Sequence, residues 1–193
     1  MILLVLPDIS EEDRLIASAK RGDQNAIRQI YENYFSPIYG FIRMRVSDTH
    51  VAEDLASDVF IRMIKAFRGK NPPKDSLRGW LFRVARNVIH DHYGRSKRIE
   101  QTTLDEWIPA SEDNNVEVQF MRSLNIAQAR QAIQRLTDDQ QEVILLRFGH
   151  ALSLQETADI MGKKANAIKA LQFRAINTLR RILGELRTEI SYG

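Results

Sequence analysis

At 193 residues the chain is long for one small domain and short for two large ones. Lys and Arg number 28 against 25 Asp and Glu, a formal net charge of +3, and hydrophobic residues make up 44%, enough for ordinary globular cores. The absence of cysteine excludes a disulfide framework and a thiolate metal site.

The charge is unevenly laid out. Residues 1–61 are net −4, while residues 62–98 hold 11 Lys and Arg against 2 Asp and Glu. Residues 99–120 hold 6 acidic residues and no Lys or Arg, and residues 121–193 are net +4. Two basic blocks on either side of an acidic one point to a field that attracts nucleic acid rather than to evenly solvated helix faces.

The chain opens on an apolar run, Met1 to Leu6, stopped by Pro7 and the acidic Glu11-Glu12-Asp13. The run is too short for a signal peptide or a membrane span, so the expectation is a soluble, cytoplasmic protein. Ser10 with Asp13 suggests a capped first helix reaching Lys20 and ending at Gly22. Asp23 caps the next, with Ile27, Ile30, Tyr31, Tyr34 and Phe35 at helical spacing. Pro37 is expected to kink or interrupt it, and Ile38, Tyr39, Ile42 and Val46 continue the stripe. Asp48 or Thr49 caps a third helix whose inner stripe is Val51, Leu55, Val59, Met63 and Phe67 and whose outer face carries Glu53, Asp54 and Asp58.

Gly69 to Asp75, with Pro72-Pro73, reads as a rigid basic loop. Ser76 caps a fourth helix with Leu77, Trp80, Leu81, Val84, Val88 and Ile89 inward and Arg78, Arg83, Arg86, Asn87 and His90 on the other face. Residues 99 to 118 lack periodicity and read as a flexible acidic linker, with Trp107-Ile108 a small apolar island. Helices then resume. Ile126, Ala129, Ile133 and Leu136 mark one. Thr137 with Gln140 makes a capping box for the next, which ends at Gly149.

Ser153 to Leu183 reads as two helices around a tight turn. Ser153 with Glu156 opens the first and Gly162 closes it. On the second, Ile168, Leu171, Ala175, Leu179 and Ile182 gather on one side. Asn166, Ala170, Phe173 and Asn177 gather opposite, flanked by Lys169, Arg174, Arg180 and Arg181. A helix apolar on one face and basic on the other, entered by a short turn from a capped helix, is the helix-turn-helix pattern. No segment alternates with period two, so the fold class is all-α: two small helical domains, 10–98 and 119–188, joined by the linker 99–118.

Catalytic chemistry finds little support. His50, His90, His92 and His150 have no partner at metal-ligand spacing, and there is neither a glycine-rich phosphate loop nor a nucleophile elbow. Glu53, Asp54 and Asp58 suit a docking patch for a basic partner better than acid–base work. No cofactor, metal or small-molecule substrate is expected. Trp80 reads as core, whereas Phe82 falls off the stripe among Arg83, Arg86 and Asn87, where an aromatic stacks unpaired bases and the cations hold phosphates. Phe173 and Ala170 suit contact with thymine methyls, and Asn166, Lys169 and Gln172 offer hydrogen bonds to base edges. Lys163, Lys164, Arg174, Arg180 and Arg181 suit phosphates.

In order along the chain, VAEDLASDVFIRMIKAF (51–67), GWLFRVARNVIHDHYGRSKR (79–98) and LTDDQQEVILLRFGHALSLQETADIMGKKANAIKALQFRA (136–175) resemble regions 2.2, 2.3–2.4 and 4 of bacterial extracytoplasmic-function (ECF) sigma factors of the sigma-70 family. The resemblance implies a protein that joins core RNA polymerase through its clamp coiled coil, reads a −35 promoter element with region 4 and opens the −10 element with region 2. By the same resemblance Glu53, Asp54, Leu55 and Phe60 match the polymerase-binding motif, with Asp58 on the same acidic face. Lys74, Arg83 and Asn87, with Arg78 and Arg86 beside them, match the −10 strand surface, and Lys169 and Arg174 match the recognition helix. An anti-sigma factor is a possible further partner. The chain departs from the family pattern at Ser57, Leu77, Leu171 and the turn Lys163-Lys164-Ala165-Asn166, the last two bearing on which promoter is read. The rival readings are a helix-turn-helix regulator acting without a sigma role, which leaves the basic 62–98 block and the acidic linker unexplained, and a helical enzyme, which lacks a convergent catalytic set.

Overall fold

The structure is a computed structural model that describes residues 9–69, 73, 76–94 and 126–191. All regular structure among the described residues is helical, and the chain divides into two compact units, Met1–Arg98 and Ile99–Gly193. The linker 99–118, Trp107-Ile108, Lys74 and the basic run Arg95–Arg98 lie outside the described residues.

The first unit packs four helices: α1 (Ile9–Lys20), α2 (Gln24–Arg45), α3 (Thr49–Arg68) and α4 (Leu77–Gly94). Helix α1 starts at Ile9, ahead of the expected Ser10 cap. It lays Ile16 and Ala19 on α2. Asp23 caps α2, its carboxylate accepting from the Asn25 and Ala26 amides at 2.9 and 3.4 Å. The interruption expected at Pro37 does not occur: α2 runs unbroken from Gln24 to Arg45 with Pro37 buried in its interior. A proline inside a helix forfeits one backbone hydrogen bond, at about 3 kcal/mol. Burial of Tyr34, Ile38, Phe41 and Ile42 on both sides of the ring offsets that loss.

Asp48, not Thr49, caps α3, accepting from the His50 and Val51 amides at 2.8 and 3.1 Å. The Val51 amide bond in particular holds the Asp48 carboxyl below the usual carboxylate range. The buried stripe of α3 departs from the expected one in its first half. Ala52, Ala56, Val59, Phe60, Met63 and Phe67 are buried, while Val51 and Leu55 are only half-buried. Val59, Met63 and Phe67 keep their expected places, and Ala52 and Ala56 are buried on a helix that packs against both α2 and α4.

Ser76 caps α4 through its hydroxyl, which accepts from the Gly79 amide at 3.1 Å. Leu77, Leu81, Val88 and Ile89 are buried as expected, Ala85 is buried as well, and Val84, expected inward, is only half-buried. The two aromatics are exchanged relative to the sequence reading. Phe82 is 1% exposed, edge-on to Phe41 at 5.5 Å and 89°, whereas Trp80 is half-buried. A helix of this amphipathicity buries more than a strict stripe, and a pocket beside Phe41 on α2 takes the ring one position beyond it.

The second unit comprises α5 (Ile126–Gln134), α6 (Asp138–Ile144), a π-helical turn (Leu145–Gly149), α7 (Leu154–Met161) and α8 (Ala165–Ser191). The Thr137 amide donates to Gln140 Oε1 at 3.3 Å at the start of α6. Helical structure ends at Gly149 as expected, through a widened last turn in which the His150 amide reaches back to the Leu145 carbonyl at 2.9 Å. Ala151 follows in the left-handed region at φ 51°. Both halves of the Ser153–Glu156 capping box are made, at 2.7 and 3.2 Å, and Gly162 ends α7 at φ 65°. Ile168, Leu171, Ala175, Leu179 and Ile182 are all buried. Among the described residues no helix is long and apolar enough to cross a membrane.

Candidate nucleic-acid interface

Helix α8 turns its buried stripe to α6 and α7 and so leaves a polar face outward. Lys164 and Asn166 stand exposed at its entry, and Lys169, Ala170, Phe173 and Arg174 are half-buried along it. Lys163 is also exposed, but Asp139 at the start of α6 holds its ammonium at 3.1 Å. Phe173 is therefore less exposed than its place on the polar face suggested. Gln172 does not belong to the reading face: it is 3% exposed and accepts from Arg147 Nε at 2.9 Å. Its backbone position places it on the flank of the apolar stripe, and a buried amide keeps its place only with a partner. Further along, Arg181 is matched by Glu185 at 2.7 Å, and Thr178 accepts from Gln140 Nε2 at 3.4 Å, tying α8 to α6.

In the first unit, Arg83 and Asn87 are exposed and Arg78 and Arg86 half-buried on α4. At 100° per residue Trp80, Arg83 and Asn87 fall on one face. With Phe82 withdrawn into the core, Trp80 is the aromatic available beside these polar groups. The signal for it lay in the spacing, since i, i+3, i+7 groups Trp80 with Arg83 and Asn87 as readily as with Leu77 and Val84. The end of α4 is anchored twice. Tyr93 donates its hydroxyl proton to the Arg45 carbonyl at 3.0 Å, and Asp91 lies 3.6 Å from Arg62 of α3.

On α3, Glu53 and Asp54 are exposed and adjacent, with Leu55 half-buried beneath them. Asp58, one turn after Asp54 on the same side of the helix, is held by Arg62 at 2.9 Å, and Arg62 also lies 3.6 Å from Asp91. Of the three carboxylates, Asp58 is the one linked through Arg62 towards α4. Phe60 is 4% exposed, as expected of a core residue, and lies under Tyr31 at 4.8 Å. Tyr31, Phe35 and Tyr39 line up along α2, with the Phe35 and Tyr39 rings stacked at 5.8 Å, an arrangement that helical spacing alone did not single out. Burial first, and then the Glu12 carboxylate, pushes the neighbouring Tyr34 hydroxyl above the usual phenol range.

Two family models match this chain: sigma-70 region 2 over residues 30–99 and sigma-70 region 4 over residues 132–181. The ECF RNA polymerase sigma factor BldN of Streptomyces coelicolor is 36% identical over 88% of this chain, which spans 64% of that relative's length. The ECF RNA polymerase sigma factor SigX of Bacillus subtilis is 28% identical over 86% of this chain and 88% of its own length. In fold, the chain is similar to CnrH in its complex with the cytosolic domain of CnrY, with a TM-score of 0.68 and 21% identity over 90% of this chain and 97% of that one. It is likewise similar to the sigma factor RpoE of Bartonella quintana in complex with the anti-sigma factor NepR, with a TM-score of 0.61 and 23% identity over 81% of this chain and 96% of that one. Both regions in their order, together over more than half of the residues, place the chain in a family: it belongs to the sigma-70 family of RNA polymerase sigma factors, within the ECF group.

Proposed function

We propose that this chain directs RNA polymerase to promoters by dividing three tasks among three helices. Helix α8 reads the −35 element in the major groove. Asn166, Lys169, Ala170 and Phe173 meet base edges, and Lys163, Lys164 and Arg174 meet phosphates. Helix α4, with Lys74 just ahead of it in the sequence, takes the −10 element as single strand. Trp80 stacks a base there, and Arg78, Arg83, Arg86 and Asn87 hold the backbone beside it. Helix α3 offers Glu53, Asp54 and Leu55, with Asp58 one turn further on, to the clamp coiled coil of core polymerase. The work is done in the cytoplasm, and an anti-sigma factor, of the kind that holds the RpoE relative, is the regulatory partner.

The observation that carries the reading is the split of α8 into a fully buried apolar stripe and an outward face bearing Lys164, Asn166, Lys169 and Phe173, in a chain that also contains region 2. Lys169→Ala and Phe173→Ala should each lower −35 discrimination by about 1–3 kcal/mol for each base no longer read, roughly five- to 150-fold. Binding of the same variants to core polymerase should be unchanged. An equal loss of polymerase binding would assign these side chains to the fold instead.

A further inference from the structure

One side chain of the second unit has no part in these three tasks and yet touches three of its segments. Arg147 stands in the π-helical turn Leu145–Gly149. Its Nε donates to Gln172 Oε1 of α8 at 2.9 Å, and its Nη1 donates to the Leu152 carbonyl. Both partners are deeply buried, Gln172 at 3% and Leu152 at 0% exposure. Leu152 directly precedes the Ser153 cap of α7 and directly follows Ala151, whose φ of 51° is unfavourable for a side-chain-bearing residue. One planar guanidinium, with its donors in fixed geometry, thus joins the turn, the strained bend and the recognition helix.

Gln172 is the residue before Phe173 and three after Lys169, so anchoring it fixes the roll of α8 about its own axis. A roll of about 20° moves a side-chain tip about 5–6 Å from the axis by roughly 2 Å. A hydrogen bond to a base edge tolerates only a few tenths of an ångström. We propose that Arg147 and Gln172 form a positioning pair for promoter recognition: they contact no DNA, and they set the roll at which Lys169 and Phe173 meet the bases. This inference rests on the reading of α8 as the −35 helix.

The test uses the double variant Arg147→Lys with Gln172→Leu in the full chain. Lysine keeps the charge and one donor for the Leu152 carbonyl, and leucine fills the place of Gln172 without leaving its amide unpaired. Holoenzyme carrying it is scored for transcription across promoters with a randomised −35 element. The spread between best and worst promoters should shrink tenfold or more, with Tm and core-polymerase binding retained. Gln172→Glu, which keeps an acceptor for Arg147, should retain the full spread. A double variant with unaltered preference, or loss of preference in Gln172→Glu, overturns the proposal. Lys169→Ala, run in parallel, separates the two levels: if it flattens the preference while the double variant does not, only the positioning pair fails, and if neither does, the reading of α8 fails with it.

Discussion

Phe82→Ala is expected to destabilise the first unit by about 3–5 kcal/mol, a large share of the stability of a small domain. The ring is 1% exposed and meets Phe41, itself fully buried, edge-on at 5.5 Å. Its removal loses the transfer of a whole aromatic side chain and leaves a cavity between α2 and α4 that a close-packed core closes only in part. Trp80→Ala should behave in the opposite way. A half-buried side chain loses less on truncation, and the larger effect should fall on single-stranded −10 DNA, at about 1–3 kcal/mol for one stacked base. Urea unfolding of the full chain, followed by far-ultraviolet circular dichroism, measures the first effect, and holoenzyme binding to a −10 oligonucleotide measures the second. A stable Phe82→Ala that fails on the oligonucleotide would return Phe82 to the DNA surface.

Asp54→Arg should abolish assembly with core polymerase at concentrations where the unaltered chain is saturated. Asp54 is exposed beside Glu53 on the outer face of α3, so the substitution should change folding stability by no more than about 0.5 kcal/mol. Against a basic partner, however, the change replaces an attraction by a like-charge contact, which costs several kcal/mol, about a hundredfold or more in affinity. Asp58→Asn makes the useful comparison. Its carboxylate is engaged by Arg62, which also reaches Asp91 of α4, so its removal should be felt in the α3–α4 packing more than in assembly. A titration of the chain into core polymerase reads both, and unchanged affinity for Asp54→Arg would remove Asp54 from the interface.

Helix-scale features were legible because they rest on local chemistry. The Asp23, Ser76 and Ser153 caps, the left-handed Gly162 and the apolar stripe of α8 each follow from one residue type at one spacing, and each stands in the structure. What sequence periodicity missed depends on a second helix. Phe82 is buried because Phe41 on another helix receives it, Pro37 stays helical because burial on both sides of the ring offsets the missing backbone bond, and Ala52 and Ala56 rather than Val51 and Leu55 are buried on α3, which packs against both α2 and α4. The site residues divide the same way. Lys164, Asn166, Arg83, Asn87, Glu53 and Asp54 stand exposed as their helix faces required. The ties of Lys163 to Asp139, Asp58 to Arg62 and Gln172 to Arg147 join residues 24 apart, four apart and 25 apart in the chain. Only the four-residue spacing is visible as a helical pair; the other two require the tertiary fold.

The central claim is that promoter choice arises when this chain joins core RNA polymerase. Its most direct test is transcription in vitro from a pool of bacterial promoters by core enzyme alone and by core enzyme with this chain. A set of defined, promoter-dependent start sites that appears only with the chain, and disappears with Asp54→Arg, is the predicted result. Identical transcripts with and without the chain, together with sequence-specific footprints by the chain on its own, would contradict the account and favour a regulator that acts apart from the polymerase.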